Sequence, residues 1–389
     1  MTQIKLQNFD LDYFLKHHWQ QQPCVIKQAL PDFVDPIDEH DLAGLASEPD
    51  IDSRIVSRQR AKQENQQGEQ WQVSHGPIED FASSCQGDWT LLVQAVDQHI
   101  PDTLPLVSLF NFLPYWRIDD LMVSYSVANG GVGPHLDQYD VFIIQGKGKR
   151  RWQVGDQGNY QDIFPHPQLR QISGFKPQID EVLEPGDIIY IPPGFPHNGV
   201  ALEECLNYSI GFRAPNQNEL LSNLSDAVQE SEQFKQRYSD ANIPSRQHPS
   251  LVLNSEIQSL KQLMIAMIES PQSDQLLLQS LSQTTAVEPM DAVDHYTEQQ
   301  IIEAFQQGHS FLRMSEAKAL FQEQQSSDNF IFYIQGQQFC VPMIAKESLL
   351  QLFAVDEFND LNTIKNQADL EFAKIFTILI NAGYWYLAE

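Results

Sequence analysis

Residues Gly130 to Val154 read GGVGPHLDQYDVFIIQGKGKRRWQV, and the architecture expected for the rest of the chain follows from them. The opening glycines let a backbone turn tightly and approach a ligand closely. His135 and Asp137 come next, two positions apart. On a strand such neighbours project from one face, so an imidazole and a carboxylate converge on one point. The apolar run Val141 to Ile144 continues that strand, and Gly146-Lys147-Gly148 predicts a hairpin turn. Arg150, Trp152 and Val154 then alternate along a return strand, with Arg150 and Trp152 on a shared face. The pair His135 and Asp137 is thereby expected near a fixed cation.

A second stretch supplies a partner. Gly186-Asp187-Ile188-Ile189-Tyr190-Ile191-Pro192-Pro193-Gly194-Phe195-Pro196-His197 is a turn, a short apolar strand and a proline-glycine corner that delivers a histidine. The spacing G-x5-P-x-G-x2-H fits the second motif of cupin-like barrels. Two imidazoles and one carboxylate form the facial triad of non-haem Fe(II) oxygenases, which leaves coordination positions open. His-x-Asp alone is a weak signal, and the corner alone predicts a barrel without a reaction. The competing reading is a barrel that kept its histidine corner for packing and holds no metal. Arg150 speaks against it, because an inward cation needs an anionic partner. Arg150 has its own bland alternative, an outward solvated charge in the run Lys147, Lys149, Arg150 and Arg151.

The passages WRIDDLMVSYSV, GGVGPHLDQYDVFIIQG, RRWQVGD, LEPGDIIYIPPGFPH and NYSIGFRAPN together resemble the bacterial JmjC-type ribosomal oxygenases. The likeness spans nearly the whole chain and is strongest from Trp71 to Pro215. It implies a double-stranded β-helix that binds Fe(II), with 2-oxoglutarate and dioxygen as cosubstrates. His135, Asp137 and His197 are the ligands it implies, with Ser124 and Arg150 on the distal carboxylate of 2-oxoglutarate. It also implies hydroxylation at the β-carbon of an arginine in a basic protein of the large ribosomal subunit. A buried target guanidinium needs a carboxylate. Asp120 is the first choice for substrate binding, and Ser209 the second. Capping a loop is the alternative role for Asp120. Histidyl hydroxylases and demethylases share the same iron centre; a cupin isomerase, a dioxygenase without 2-oxoglutarate and a non-catalytic cupin-like module are the other readings.

Composition sets the outer bounds. The chain has 389 residues, 24 basic and 52 acidic, for a net charge of -28. Such a surface disfavours nucleic acid and anionic membrane and steers cationic partners inward. Cys24, Cys85, Cys205 and Cys340 are far apart and form no C-x-x-C, so neither a zinc knot nor a disulfide framework is expected. The start, MTQIKLQNFD, lacks a signal-peptide pattern, and Asn381 and Gly383 interrupt the longest apolar run, Ile375 to Ala388. A cytoplasmic location is the expectation.

The expected fold class is α+β in three parts: a cupin-like jelly-roll at 1–215, a helical dimerisation region at 216–285 and a winged-helix-like domain at 286–389. In the first part, Leu11, Phe14, Leu15 and Trp19 have helical spacing, Cys24 to Ile26 is a short strand, and Asp38 caps a helix to Ala46. Ile51 to Ser57 reads as a strand, Arg58 to Gln70 as an exposed loop, Trp71 to Val73 as its return, and Trp89 to His99 as an amphipathic helix. Trp116 to Val127 enters the barrel with Met122, Ser124 and Ser126 on one face. His166 sits between prolines in a rigid loop. Asn207 to Phe212 is the last barrel strand, with Asn207 and Ser209 sharing a face near the cosubstrate.

Helices are expected at Asn218 to Glu230 and around Ile257, Leu260, Leu263, Met264, Met267 and Ile268, where the apolar stripe serves either an internal core or, by the resemblance, a homodimer. Gln272 to Asp294 reads as a linker, and Thr297 opens a capping box. Strands are expected at Phe311 to Met314, Ala319 to Gln322, Phe330 to Ile334 and Phe339 to Val341, then helices at Glu347 to Phe353 and Asp369 to Asn381. Residues 216–389 hold 9 basic against 23 acidic side chains, without a cationic recognition helix, so DNA binding is not expected.

Overall fold

The computed structural model describes residues 5–60, 69–230, 234–241, 243–283, 295–323, 328–359 and 367–388. They divide into two compact units, Met1–Ala214 and Pro215–Glu389.

The first unit is built from β1 (Cys24–Ile26), β2 (Ser53–Arg60), β3 (Glu69–His75), β4 (Asp88–Val93), β5 (Ile118–Ser126), β6 (Asp140–Gln145), β7 (Arg150–Gly155), β8 (Gln161–His166), β9 (Leu169–Ser173), β10 (Pro177–Leu183), β11 (Ile188–Ile191), β12 (His197–Ala201) and β13 (Cys205–Phe212). Eight of them form one antiparallel sheet in the order β1-β11-β6-β13-β5-β4-β2-β3. A second sheet has the order β10-β7-β12, and β8 pairs with β9 as a hairpin.

Strand alternation sorts the side chains of the large sheet. Leu121, Val123 and Tyr125 of β5, Phe142 and Ile144 of β6, Ile188 and Tyr190 of β11, and Leu206, Tyr208, Ile210 and Phe212 of β13 share one core. Helix Leu11–His17 adds Phe14 to it, and helix Glu39–Ala46 adds Leu42 and Ala46. Phe142 is the aromatic centre, with its ring 4.3 Å from Phe110 and 4.8 Å from Tyr190. From the opposite face, Val141, Ile143, Ile189 and Ile191 meet Trp152, Val154 and Leu183 of the small sheet. The result is a jelly-roll sandwich whose interior lies between the two sheets. Asp38 caps its helix through a capping box, as its place in the sequence predicts.

The structure corrects several expectations here. Asp88–Val93 is a strand, not the start of a helix: Leu91 pairs with Ile55 on one side and Tyr125 on the other, so both edges are hydrogen-bonded. Local spacing loses to that pairing. Only Val96–His99 is helical, after Ala95 at a positive φ of 51°. Gly146-Lys147-Gly148 is no hairpin, because β6 pairs with β11 and β13, whereas β7 pairs with β10 and β12. The turn carries the chain from one sheet to the other. Gly148 has a φ of +75°, and a Cβ there would lie 2.1 Å from the Glu204 carbonyl oxygen. His166 closes β8 instead of lying in a loop. β2 extends to Arg60 and β3 begins at Glu69; the rest of the expected loop lies outside the described residues.

In the second unit, helices Gln217–Glu230, Asn254–Ile268, Pro271–Leu281 and Glu298–Gln306 precede β14 (Phe311–Arg313), β15 (Asn329–Ile334) and β16 (Gln337–Pro342). Helix Lys346–Phe353, β17 (Glu357–Phe358), helix Gln367–Asn381 and β18 (Trp385–Leu387) follow. The sheet order is β17-β14-β18, with β15-β16 as a separate hairpin. Phe311, Phe330, Phe332, Phe376 and Trp385 anchor its core. Pro271–Leu281 overturns the linker reading: Ser270 caps it and proline occupies its first turn, which compensates for weak periodicity. Residues 284–294 of that linker lie outside the described ones. Ala319 to Gln322 forms no strand, only a single bridge between Leu320 and Tyr333. Helix Asn254–Ile268 buries no residue, and Ile257, Leu260, Met264 and Ile268 all stand exposed. Among the described residues no helix is long and apolar enough to cross a membrane.

Candidate metal centre

His197 opens β12 directly after the proline-glycine corner. Its backbone exchanges two hydrogen bonds with His135, both 3.0 Å, so the two histidines face each other across a single antiparallel bridge. The Gly194 N–H donates to the Asp137 carbonyl at 2.8 Å, tying the second member of the pair to the same corner. Contrary to the strand expected for them, His135 and Asp137 lie outside any regular strand; β6 begins only at Asp140. Asp140 is fully buried and held by Arg117 at 3.0 Å and Tyr190 at 2.5 Å, which fixes the chain just past Asp137.

The three side chains converge. One ligand atom from each of His135, Asp137 and His197 lies within 4.8 Å of the others. Asp137 Oδ2 is 3.8 Å from His135 Nε2 and 3.4 Å from His197 Nε2. Both Nδ1 atoms face carbonyls, Gly133 at 2.9 Å and Phe195 at 3.0 Å. A carbonyl only accepts, so each Nδ1 carries a proton, which leaves each Nε2 as the ring nitrogen that can coordinate a metal. His197 is 2% exposed, while His135 and Asp137 keep 24% and 22%, so the cluster is walled on one side and open on the other.

The electrostatics suit a cation. Burial, then the facing His197, brings His135 down to about 4. Burial alone would raise Asp137; His135 and His197 overcome it and bring the carboxylate to about 2. Burial also works to lower His197, but the bond and charge of Asp137 outweigh it and the imidazole rises. A carboxylate and two lone pairs this close, with both remaining ring nitrogens already engaged, fit a divalent metal with open positions.

Arg150 is 4% exposed and points inward. Nη1 donates to Ser126 Oγ and Asn207 Oδ1, each at 3.1 Å, and Nη2 to the Gly199 carbonyl at 3.2 Å. Nε has no partner. Burial pulls its pKa down, yet a guanidinium stays charged in a protein. A buried cation that, among the described residues, is held only by neutral acceptors fits an anionic ligand. Asn207 is oriented by donating Nδ2–H to Gln145 Oε1 at 2.8 Å, which turns its carbonyl oxygen to Arg150.

The other expected site residues fall on the same inner face. Ser124 is buried, opposite Asn207 on one side and Leu92 on the other, and its hydroxyl makes no hydrogen bond with the described residues. Ser126, not Ser124, reaches Arg150, and its Oγ also lies 2.9 Å from Thr90 Oγ1. Sequence alone shows that both serines share a face but not which one meets the guanidinium. Ser209 is 8% exposed, opposite Met122 and Ile143. Asp120 does serve a loop: its Oδ2 accepts from the Ala95 N–H at 2.8 Å. Its Oδ1 stays near Gly211, 3.8 Å from where a Cβ there would stand. Burial pushes Asp120 up to about 6 against the pull of that N–H, with Asp119 and Asp97 adding to the rise. Arg54 is a residue that sequence reasoning missed. It is half-buried opposite Leu92 on β2, and its charge acts on both His135 and Asp137. His166 is bonded only within its own turn, from the Gln168 N–H at 3.3 Å.

Comparison with known proteins places this geometry. Residues 105–220 match the JmjC domain. The chain is 42% identical to the ribosomal protein uL16 3-hydroxylase of Escherichia coli strain K12, over 96% of each chain. It is 36% identical to a probable ribosomal oxygenase of Haemophilus influenzae, covering 65% of this chain and 63% of that one. The solved structure of the E. coli ribosomal oxygenase YcfD with cobalt and 2-oxoglutarate superposes with a TM-score of 0.85 at 40% identity, covering 99% of both chains. With the jelly-roll, the His-Asp-His cluster and a likeness running end to end, the chain belongs to the JmjC ribosomal oxygenase family.

Proposed function

We propose that the protein is an Fe(II)- and 2-oxoglutarate-dependent dioxygenase that hydroxylates the β-carbon of an arginine in the ribosomal protein uL16. The observation that carries this reading is the pairing of two features in one cavity: a His135, Asp137 and His197 cluster drawn within 4.8 Å, and a buried Arg150 to which no carboxylate among the described residues is bonded. The likeness to a uL16 3-hydroxylase over 96% of the chain supports the substrate.

His135 Nε2, His197 Nε2 and an Asp137 oxygen would hold the metal, and Arg150 and Ser124 the distal carboxylate of 2-oxoglutarate. Bound there, the metal and 2-oxoglutarate supply the oxidation, in which dioxygen is consumed, succinate and carbon dioxide leave, and one oxygen atom enters the target C–H bond. The chain's own contribution is position. The Nδ1–H bonds to Gly133 and Phe195 hold both imidazoles in one tautomer. Asp120, with Ser209 on the neighbouring strand, takes the target guanidinium. The residues at 1–215 act as the catalytic domain. The exposed apolar stripe of helix Asn254–Ile268, in the 216–285 region, makes a homodimer contact, and 286–389 is a winged-helix-like domain with too few cations for DNA. A cytoplasmic location follows from a ribosomal substrate.

The test is direct. Purified protein with Fe(II), 2-oxoglutarate and recombinant uL16 should yield one arginine peptide heavier by a single oxygen atom, with succinate formed in step. Unmodified uL16 and no succinate would exclude the reading. Sedimentation of the full chain, with Met264→Glu as comparison, tests the dimer: the wild type should be the larger species.

A further inference from the structure

Arg150 does not occupy its face of β7 alone. Trp152, the next inward residue, is 6% exposed, and its indole Nε1–H has no acceptor among the described residues. Buried donors are almost always satisfied, so one left open marks a place where an acceptor is received. The indole is well located to receive one. Its ring centre is 5.2 Å from Arg150 Cζ and 6.1 Å from the His197 ring centre, so it spans the interval between the cation and the His-Asp-His cluster.

Gly199 holds this arrangement open. It lies directly opposite Trp152 in the β12–β7 register. A Cβ there would stand 2.8 Å from both Arg150 Nε and Trp152 Cη2, closer than either tolerates. Arg150 Nε is the other unpartnered donor at this spot. The side chains clustered with Trp152 include Val141, Ile143, Val154, Ile191 and Phe195, all apolar. A ligand with a carbon chain and a carboxylate satisfies both the ring and the N–H.

We infer that Trp152 is a positioning residue for the dicarboxylate cosubstrate. Its ring forms the wall along the carbon chain, and its Nε1–H donates to a carboxylate oxygen beside Arg150. This rests on the proposed use of 2-oxoglutarate.

The experiment uses full-length protein loaded with Zn(II), which supports no turnover, and titrates 2-oxoglutarate by calorimetry. Trp152→Phe keeps a ring and removes the N–H. Its Kd should rise about tenfold, the equivalent of one hydrogen bond to a charged group. In the Fe(II) enzyme the KM for 2-oxoglutarate should rise while the KM for uL16 stays put. A second readout needs no variant to remain folded. In nitrogen-15 tryptophan-labelled wild type, the indole resonance absent from Trp152→Phe should move downfield on adding 2-oxoglutarate. Unchanged Kd and an unmoved resonance, in a wild type that binds 2-oxoglutarate, would overturn the role of Trp152 alone. A wild type that binds no 2-oxoglutarate would overturn the proposed function along with it.

Discussion

The two faces of the eight-stranded sheet are made by the same strands and have different jobs. On β5, Leu121, Val123 and Tyr125 join the main core, while Asp120, Ser124 and Ser126 face the cavity. On β13, Leu206, Tyr208, Ile210 and Phe212 are core, while Asn207 and Ser209 face inward. A period of two therefore divides stability from chemistry residue by residue. The inner face carries Ser124, Ser126, Asn207 and Ser209, whereas the outer face is mainly apolar, with its buried Asp140 paired to Arg117 and Tyr190. The cost of the inner polar groups is offset by mutual bonds such as Asn207 to Gln145.

If that division holds, inner-face changes should remove function and outer-face changes should remove stability. The largest effect is expected at the cluster. His135→Ala, Asp137→Ala or His197→Ala should abolish metal binding, exceeding the roughly 10–100-fold cost of losing an outer-shell partner. Hydroxylation should vanish with it, while the circular dichroism spectrum is retained. An unfolded variant would break the comparison. Next comes the outer face. Phe142→Ala should cost about 3–5 kcal/mol in denaturant unfolding. The protein that remains folded should still bind metal with wild-type affinity.

Arg150→Ala sharpens the contrast within the cavity. It should weaken 2-oxoglutarate binding by roughly 10–150-fold, the range for a charge-assisted hydrogen bond, and leave Zn(II) affinity little changed in calorimetry. The smallest effect is a pH dependence at Asp120. Its carboxyl is raised to about 6, so it is neutral below that pH and charged above it. The KM for uL16 should therefore fall as pH rises through about 6, and Asp120→Asn should flatten that profile. The linkage to stability has the opposite sense: because the folded group holds its proton more tightly than the unfolded one, its contribution is complete below the unfolded value and is lost as pH rises through about 6. A flat profile in the wild type would remove Asp120 from the substrate site.

Much of this is legible in the sequence. Short-range rules located the helix caps at Asp38 and Thr297, because a cap acts within one turn. They also placed the Pro-Gly corner before His197, the alternation of β5 and β13, and the inward turn of Arg150. Two residues apart on an extended chain is enough to put His135 and Asp137 forward as a pair.

Partner choice was not legible, because it depends on register between strands distant in sequence. Asp88–Val93 became a strand because two neighbours satisfied its edges. Gly146-Lys147-Gly148 crossed between sheets because β6 and β7 found different partners. Whether Ser124 or Ser126 met Arg150, and that Asp120 also tied down Ala95, were settled by the same pairing. The order of side chains along each strand thus belongs to the sequence, which specified the residue types and the face each takes. Their meeting at one cavity, across sixty residues of chain between Asp137 and His197, belongs to the tertiary fold, because only closed sheets bring those segments within bonding distance.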